Sequence, residues 1–107
     1  MVIVNPKGEM QEIKADRMFV GGALGNFTNT KMKPEPGSMI YMFTDGYPDQ
    51  KGGVENKKYF ITVFKQLLVS LADKNANEQH KILHKTLVDW KGSNEQMDDI
   101  LVIGIRV

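Results

Sequence analysis

Cysteine is absent from all 107 residues, which excludes disulfides and thiolate metal ligands. A surplus of charge is missing too: 14 Lys and Arg stand against 13 Asp and Glu, a net charge of +1. Nothing in that balance argues for nucleic acid or an anionic membrane as main partner. Long apolar runs are lacking. The longest, Ile100 to Ile105, is far shorter than a membrane span, and no signal-like segment opens the chain. Repeats, low-complexity tracts and domain linkers are absent as well. These absences leave a single soluble, cytoplasmic domain with a modest core as the expectation.

What is present is organised around Met39 to Gly53, MIYMFTDGYPDQKGG. Five apolar residues, Met39 to Phe43, run into Thr44-Asp45-Gly46, and Tyr47-Pro48-Asp49 turns the chain. A short apolar run bounded by Gly and Pro predicts a buried strand ending in a loop. An acid where a buried strand stops is costly to desolvate, so it is usually paired or metal-bound. Asp45 is therefore the first residue to question.

Upstream, Val2 to Val4 is apolar from the second residue, as an edge strand or as a chain that starts inside a strand. A turn at Pro6 to Gly8 and an imperfectly alternating arm, Met10 to Ala15, complete a hairpin whose second arm is an edge. Asp16 to Asn29 lacks a clean period and predicts a loop with a short strand. Its glycines, Gly21, Gly22 and Gly25, fit no phosphate-loop spacing. Downstream, Val54 to Lys58 is polar and exposed in expectation. Phe60, Val63, Phe64, Leu67, Leu68 and Leu71 then recur at helical spacing, for a helix of about three turns. Glu78 to Trp90 is a second helix, with Asn75 or Asn77 as cap, Ile82, Leu83, Leu87 and Trp90 inward and Gly92 as its stop. Ile100 to Ile105 reads as a second continuous apolar strand. The order predicts an α+β fold, an antiparallel sheet with two helices packed on one side.

If the two apolar strands pair antiparallel, Asp45 at the end of one meets Asp98 at the start of the other. Two close carboxylates repel and call for a proton or a cation. Oxygen donors without Cys or His favour Mg²⁺ or Mn²⁺, while acids that merely shape turns are the bland alternative. His80 and His84 sit at i, i+4 beside Lys81 and Lys85, without the Glu of a zinc-protease motif, and read as a solvated face.

The run Gly37 to Gln50 with Gly52-Gly53 resembles the second metal motif of SpoIIE-type serine phosphatases, the bacterial branch of the PP2C-like, metal-dependent PPM family. Trp90-Lys91-Gly92 through Gln96-Met97-Asp98-Asp99 to Gly104 is similar to that family's last motif and final strand, and Gly8 to Gly22 to the preceding hairpin. The resemblance covers nearly the whole chain and implies part of an αββα sandwich. It also implies that Asp45 and Asp98 ligate one of two Mn²⁺ or Mg²⁺ ions, with Gly46 turning the backbone beside the metal and Asp99 supporting the loop. The implied activity is hydrolysis of phosphoserine or phosphothreonine in a phosphoprotein, such as an anti-sigma-factor antagonist, under an upstream sensor or receiver domain. The family's earlier motif, an acid followed by a Gly-His-Gly-like stretch, has no counterpart here. The chain therefore resembles the C-terminal part of a phosphatase domain, and the expectation is little or no activity by itself. A homodimer through surface left by missing strands is a further expectation, and a non-catalytic regulatory or protein-binding module of the same fold is the competing reading.

Overall fold

The structure, a computed structural model, describes residues 1–13 and 33–107. The glycine-rich loop and the hairpin arm beyond residue 13 lie outside these residues. Four antiparallel strands form the main sheet in the order β2 (Met10–Glu12), β1 (Val2–Val4), β3 (Met39–Phe43) and β6 (Val102–Arg106). The first hairpin turns where expected because the Asn5 carboxamide accepts the amides of Lys7 and Glu9 at 3.0 and 2.9 Å. β1 is not an edge. It lies between β2 and β3, with Val2 and Val4 fully buried.

Helices α2 (Ile61–Leu71) and α3 (Ala76–Lys91) cover one face of this sheet. Met39 and Tyr41 point to that face and share a core with Phe64 and Leu68. Gly104 stands opposite Tyr41 and leaves room for it: an added Cβ would lie 3.1 Å from the Met39 methyl and 3.2 Å from the Tyr41 ring. Lys65 of α2 reaches Glu12 of β2 at 2.6 Å. Arg106 of β6 donates to the carbonyls of Ala72 and Lys74 at 2.7 and 2.8 Å, closing off the C-terminal end of α2. Sheet and helix are thus tied at the middle of α2 and just beyond its C-terminal end.

The helical stripe carries one correction. Phe64, Leu68 and Leu71 are buried, but Phe60 stands before α2 with a φ of 75° and is 54% exposed, and Val63 is 41% exposed. Helical spacing alone made the stripe too wide: Phe60 lies outside the helix, its amide bonded to the Pro48 carbonyl. Asn75 caps α3, accepting the Glu78 amide at 2.9 Å, and Gly92 ends it at a φ of 55°. Asn75→Ala should cost about 1 kcal/mol of stability. A urea midpoint that does not fall would contradict this capping role.

Val54 to Lys58 is exposed as expected, and its last two residues form β5 (Lys57–Lys58), paired antiparallel with β4 (Lys51–Gly52). The two apolar strands are not buried on both faces. Met42, Ile103 and Ile105 share the face away from the helices, and all are at least 40% exposed. A continuous apolar run records what a strand can bury, not what the described chain supplies to cover it.

Candidate metal-binding site

β3 and β6 pair from Met39 opposite Arg106 to Phe43 opposite Val102. Beyond this last pair the Thr44 side chain continues the ladder. Its amide donates to the Leu101 carbonyl at 3.0 Å, its hydroxyl accepts the Leu101 amide at 3.1 Å, and the same hydroxyl donates to the Asp99 carbonyl at 3.0 Å. A threonine hydroxyl can do both at once because it is donor and acceptor. β6 therefore begins at Val102, two residues after the apolar run starts, with Thr44 pinning the chain between Asp99 and Leu101.

The next residues close the same end of the sheet. Gly46 opens α1 (Gly46–Asp49), a single helical turn in place of the expected loop. A Cβ at Gly46 would collide with the Asp99 carbonyl oxygen and lie 2.9 Å from its carbon. The two motif segments thus touch backbone to backbone at a point only glycine can occupy.

Asp45 stands on one side of this contact and Asp98-Asp99 on the other, all three exposed. Asp45 precedes α1 but makes no side-chain capping bond. An aspartate at that position normally accepts one of the first helical amides, so its carboxylate is left available. One oxygen of Asp98 accepts the Asp99 amide at 2.7 Å, and its backbone carbonyl accepts from Gln96 at 2.9 Å, so the turn before β6 is built by Asp98 itself. The hard oxygen donors suit Mg²⁺ or Mn²⁺, but two carboxylates are a fraction of an octahedral set. Among the described residues no group of three or more His, Asp or Glu gathers into a metal cluster.

Behind these acids the wall is aromatic. Tyr47 of α1 is buried against Phe64 and donates its hydroxyl to the Leu83 carbonyl at 2.8 Å. Burial pushes its phenol above the ordinary tyrosine range, with Tyr59 adding to the effect. Gln50, fully buried after α1, donates to the Glu95 carbonyl at 2.9 Å. α1 is thereby tied to α3 and to the loop that delivers Asp98. Sequence reading gave Tyr47 only a part in a turn and gave Thr44 and Gln50 no separate role, although both are polar and stand close to Asp45-Gly46. His80 and His84 lie on the exposed side of α3, with ring centroids 6.4 Å apart.

The profile of stage II sporulation protein E (SpoIIE) matches residues 1–107. The chain belongs to the SpoIIE family. It is also similar in structure to the SiaA-PP2C domain of Pseudomonas aeruginosa, with 30% identity and a TM-score of 0.89 over 99% of its length. It spans 42% of that solved chain. No curated protein matches it. The α+β fold is thus that of a PP2C-like domain, the SpoIIE match covering the TDG segment at Asp45 and the Asp98-Asp99 segment alike. Among the described residues, no helix is long and apolar enough to cross a membrane.

Proposed function

We propose that this SpoIIE-family chain is part of a metal-dependent phosphoserine or phosphothreonine protein phosphatase, with Asp45 and Asp98 as ligands to one Mn²⁺ or Mg²⁺. The observation that carries the reading is the contact of Gly46 with the Asp99 backbone, which sets the two acids on either side of one sheet end. Such an ion, when bound, polarises phosphoryl oxygens and activates water for attack on phosphorus. This chain's own contribution is positional. Thr44 fixes the Asp99 carbonyl, Gly46 permits the close approach, and Asp99 completes the turn that presents Asp98. The acids supply only part of the oxygen set, so the chain alone should bind Mn²⁺ weakly and hydrolyse little or nothing.

The test is calorimetric titration of the chain with Mn²⁺, alongside hydrolysis of a phosphoserine peptide. Millimolar binding lost in both Asp45→Asn and Asp98→Asn, at unchanged melting temperature, is the expected result. Binding that survives both substitutions would remove these residues from the site. Clear Mn²⁺-dependent turnover by the chain, abolished by Asp45→Asn, would show that these residues suffice for catalysis and overturn the inactivity.

A further inference from the structure

α3 carries both histidines of the chain, His80 and His84, four positions apart. On a helix that spacing sets two side chains on one face, with Cβ atoms ~5–6 Å apart. Both are exposed, their rings lie within 19° of parallel, and the ring centroids are 6.4 Å apart. Among the described residues neither imidazole has a hydrogen-bond or ion-pair partner. A neutral imidazole keeps one nitrogen lone pair free, so one helix face offers two such donors side by side.

The pair is not on a bare surface. Both histidines line a hollow of about 360 Å³ between α3 and the segment leading into β6. Leu83, Leu87, Ile100 and Val102 give it apolar walls, and Gln96 adds an amide. The Gln96 Nε2 donates to the Asp98 carbonyl at 2.9 Å, which leaves its Oε1 as the end open to a ligand. Neighbouring ammonium groups do not fill this space. Lys81 and Lys85 do not line the hollow, and Lys85 approaches Asp89 at 3.6 Å. Lys91 does line it, but its ammonium donates to the Asn94 carbonyl at 3.2 Å.

Bond lengths decide whether one ion could bridge the rings. With metal–nitrogen bonds of ~2.1 Å, two imidazoles on one ion have centroids no more than about 6.5 Å apart. The observed 6.4 Å is within that reach. Exposed side chains are free to turn, and a tetrahedral ion needs them only slightly closer. Imidazole donors select Zn²⁺, Ni²⁺ or Cu²⁺ over Mn²⁺ and Mg²⁺, the reverse of what carboxylates select.

We infer that His80 and His84 bind one divalent ion of the zinc class at the mouth of this hollow. Two imidazoles do not close a coordination sphere, so water and the Gln96 Oε1 are the donors for its other positions. The site is distinct from the acids in donor chemistry and does not rest on the proposed phosphatase function. It adjoins that region only through Gln96, which is bonded to the turn that presents Asp98.

The experiment titrates the chain, free of any affinity tag, with Zn²⁺ in excess Mg²⁺, which competes for oxygen sites. Calorimetry should show one equivalent bound, and amide shifts should centre on His80, Leu83, His84 and Gln96. His80→Asn and His84→Asn should each weaken binding about tenfold or more. Both side chains are exposed, so the melting temperature without metal should not move. The double variant Asp45→Asn with Asp98→Asn should bind Zn²⁺ as the unaltered chain does. No binding at millimolar Zn²⁺, undiminished binding in either histidine variant, or binding lost in the double acid variant would overturn the proposal. Failure of Mn²⁺ to bind at Asp45 and Asp98 would leave these outcomes unchanged, so the two readings fail separately.

Discussion

Gly52→Ala should lower stability by roughly 3 kcal/mol or more, a large part of the ~5–15 kcal/mol that holds a domain of this size together. Gly52 is buried where β4 crosses the last turn of α3. A Cβ there would overlap the Trp90 carbonyl oxygen, lie 2.6 Å from the carbonyl carbon and press on the indole at 2.9 Å. Two of the three are backbone atoms, so no rotamer change relieves the clash. Relief requires lifting the hairpin off α3, which breaks the bond from the Gly53 amide to the Trp90 carbonyl and the one from the Trp90 indole to Gln50. The comparison that isolates packing from backbone strain is Gly8→Ala. Gly8 has a φ of 84° but nothing within 4 Å of the added carbon, so only the left-handed conformation, about 1–2 kcal/mol, is at stake. Equal urea midpoints for the two variants would mean that the hairpin does not bear on α3 as described.

The second large effect is on pH. The fold should be insensitive to alkali up to about pH 9 and then lose stability steeply above pH 10. Tyr41 is 1% exposed, and burial pushes its phenol up from 10.0 to about 12, against the opposing pull of Arg106 and with a small push from Asp73. Its proton is also held in a 2.6 Å bond to the Gln79 side-chain carbonyl. Tyr47 is displaced in the same direction, by burial, and Tyr59 likewise. The sign follows from which state keeps the proton. Unfolded phenols ionise near pH 10, while the folded ones still hold their protons, so above that pH the unfolded chain is favoured. The stabilisation is complete below pH 10 and drains away as pH rises toward the folded values. Melting temperature against pH should bend downward there, and Tyr41→Phe should start lower, having lost the Gln79 bond, but descend less steeply. Parallel curves would rule out Tyr41 as a source of the alkaline transition.

Both effects trace to residues whose importance was only partly legible in the chain. Tyr41 sits inside an apolar run and reads as strand core, which it is. Gln79, its buried partner, lies on a polar-looking stretch of α3 and gave no sign that it would be 5% exposed. A polar residue can be buried only when a specific distant group satisfies it, and that group is 38 positions away. Thr44 is exposed, but it too depends on distant partners: its contacts to Asp99 and Leu101 span 55 and 57 positions.

Local signals did settle the cap and the stop of α3, the turn of the first hairpin and the placement of Asp45 at a strand end. Asn75, Gly92 and Asn5 act on backbone groups within a few residues of themselves, so no tertiary context can relocate their effect. The alternation along β3 did not reveal that Val2 to Val4 would be an interior strand, because strand order depends on which edges meet. Nor could the periodicity of Phe60 to Leu71 show that Phe60 would face outward at a left-handed φ, since its amide is bonded to the Pro48 carbonyl of α1, outside the helix. Neighbouring residues were enough to specify the two long helices, the apolar strands at Met39 and Ile100 and the two acidic motif segments, but not α1 or the β4–β5 pair. The contacts of Gly46 with Asp99 and of Gly52 with Trp90 came only with the folded chain, because each needs backbone segments far apart in sequence to meet within van der Waals distance.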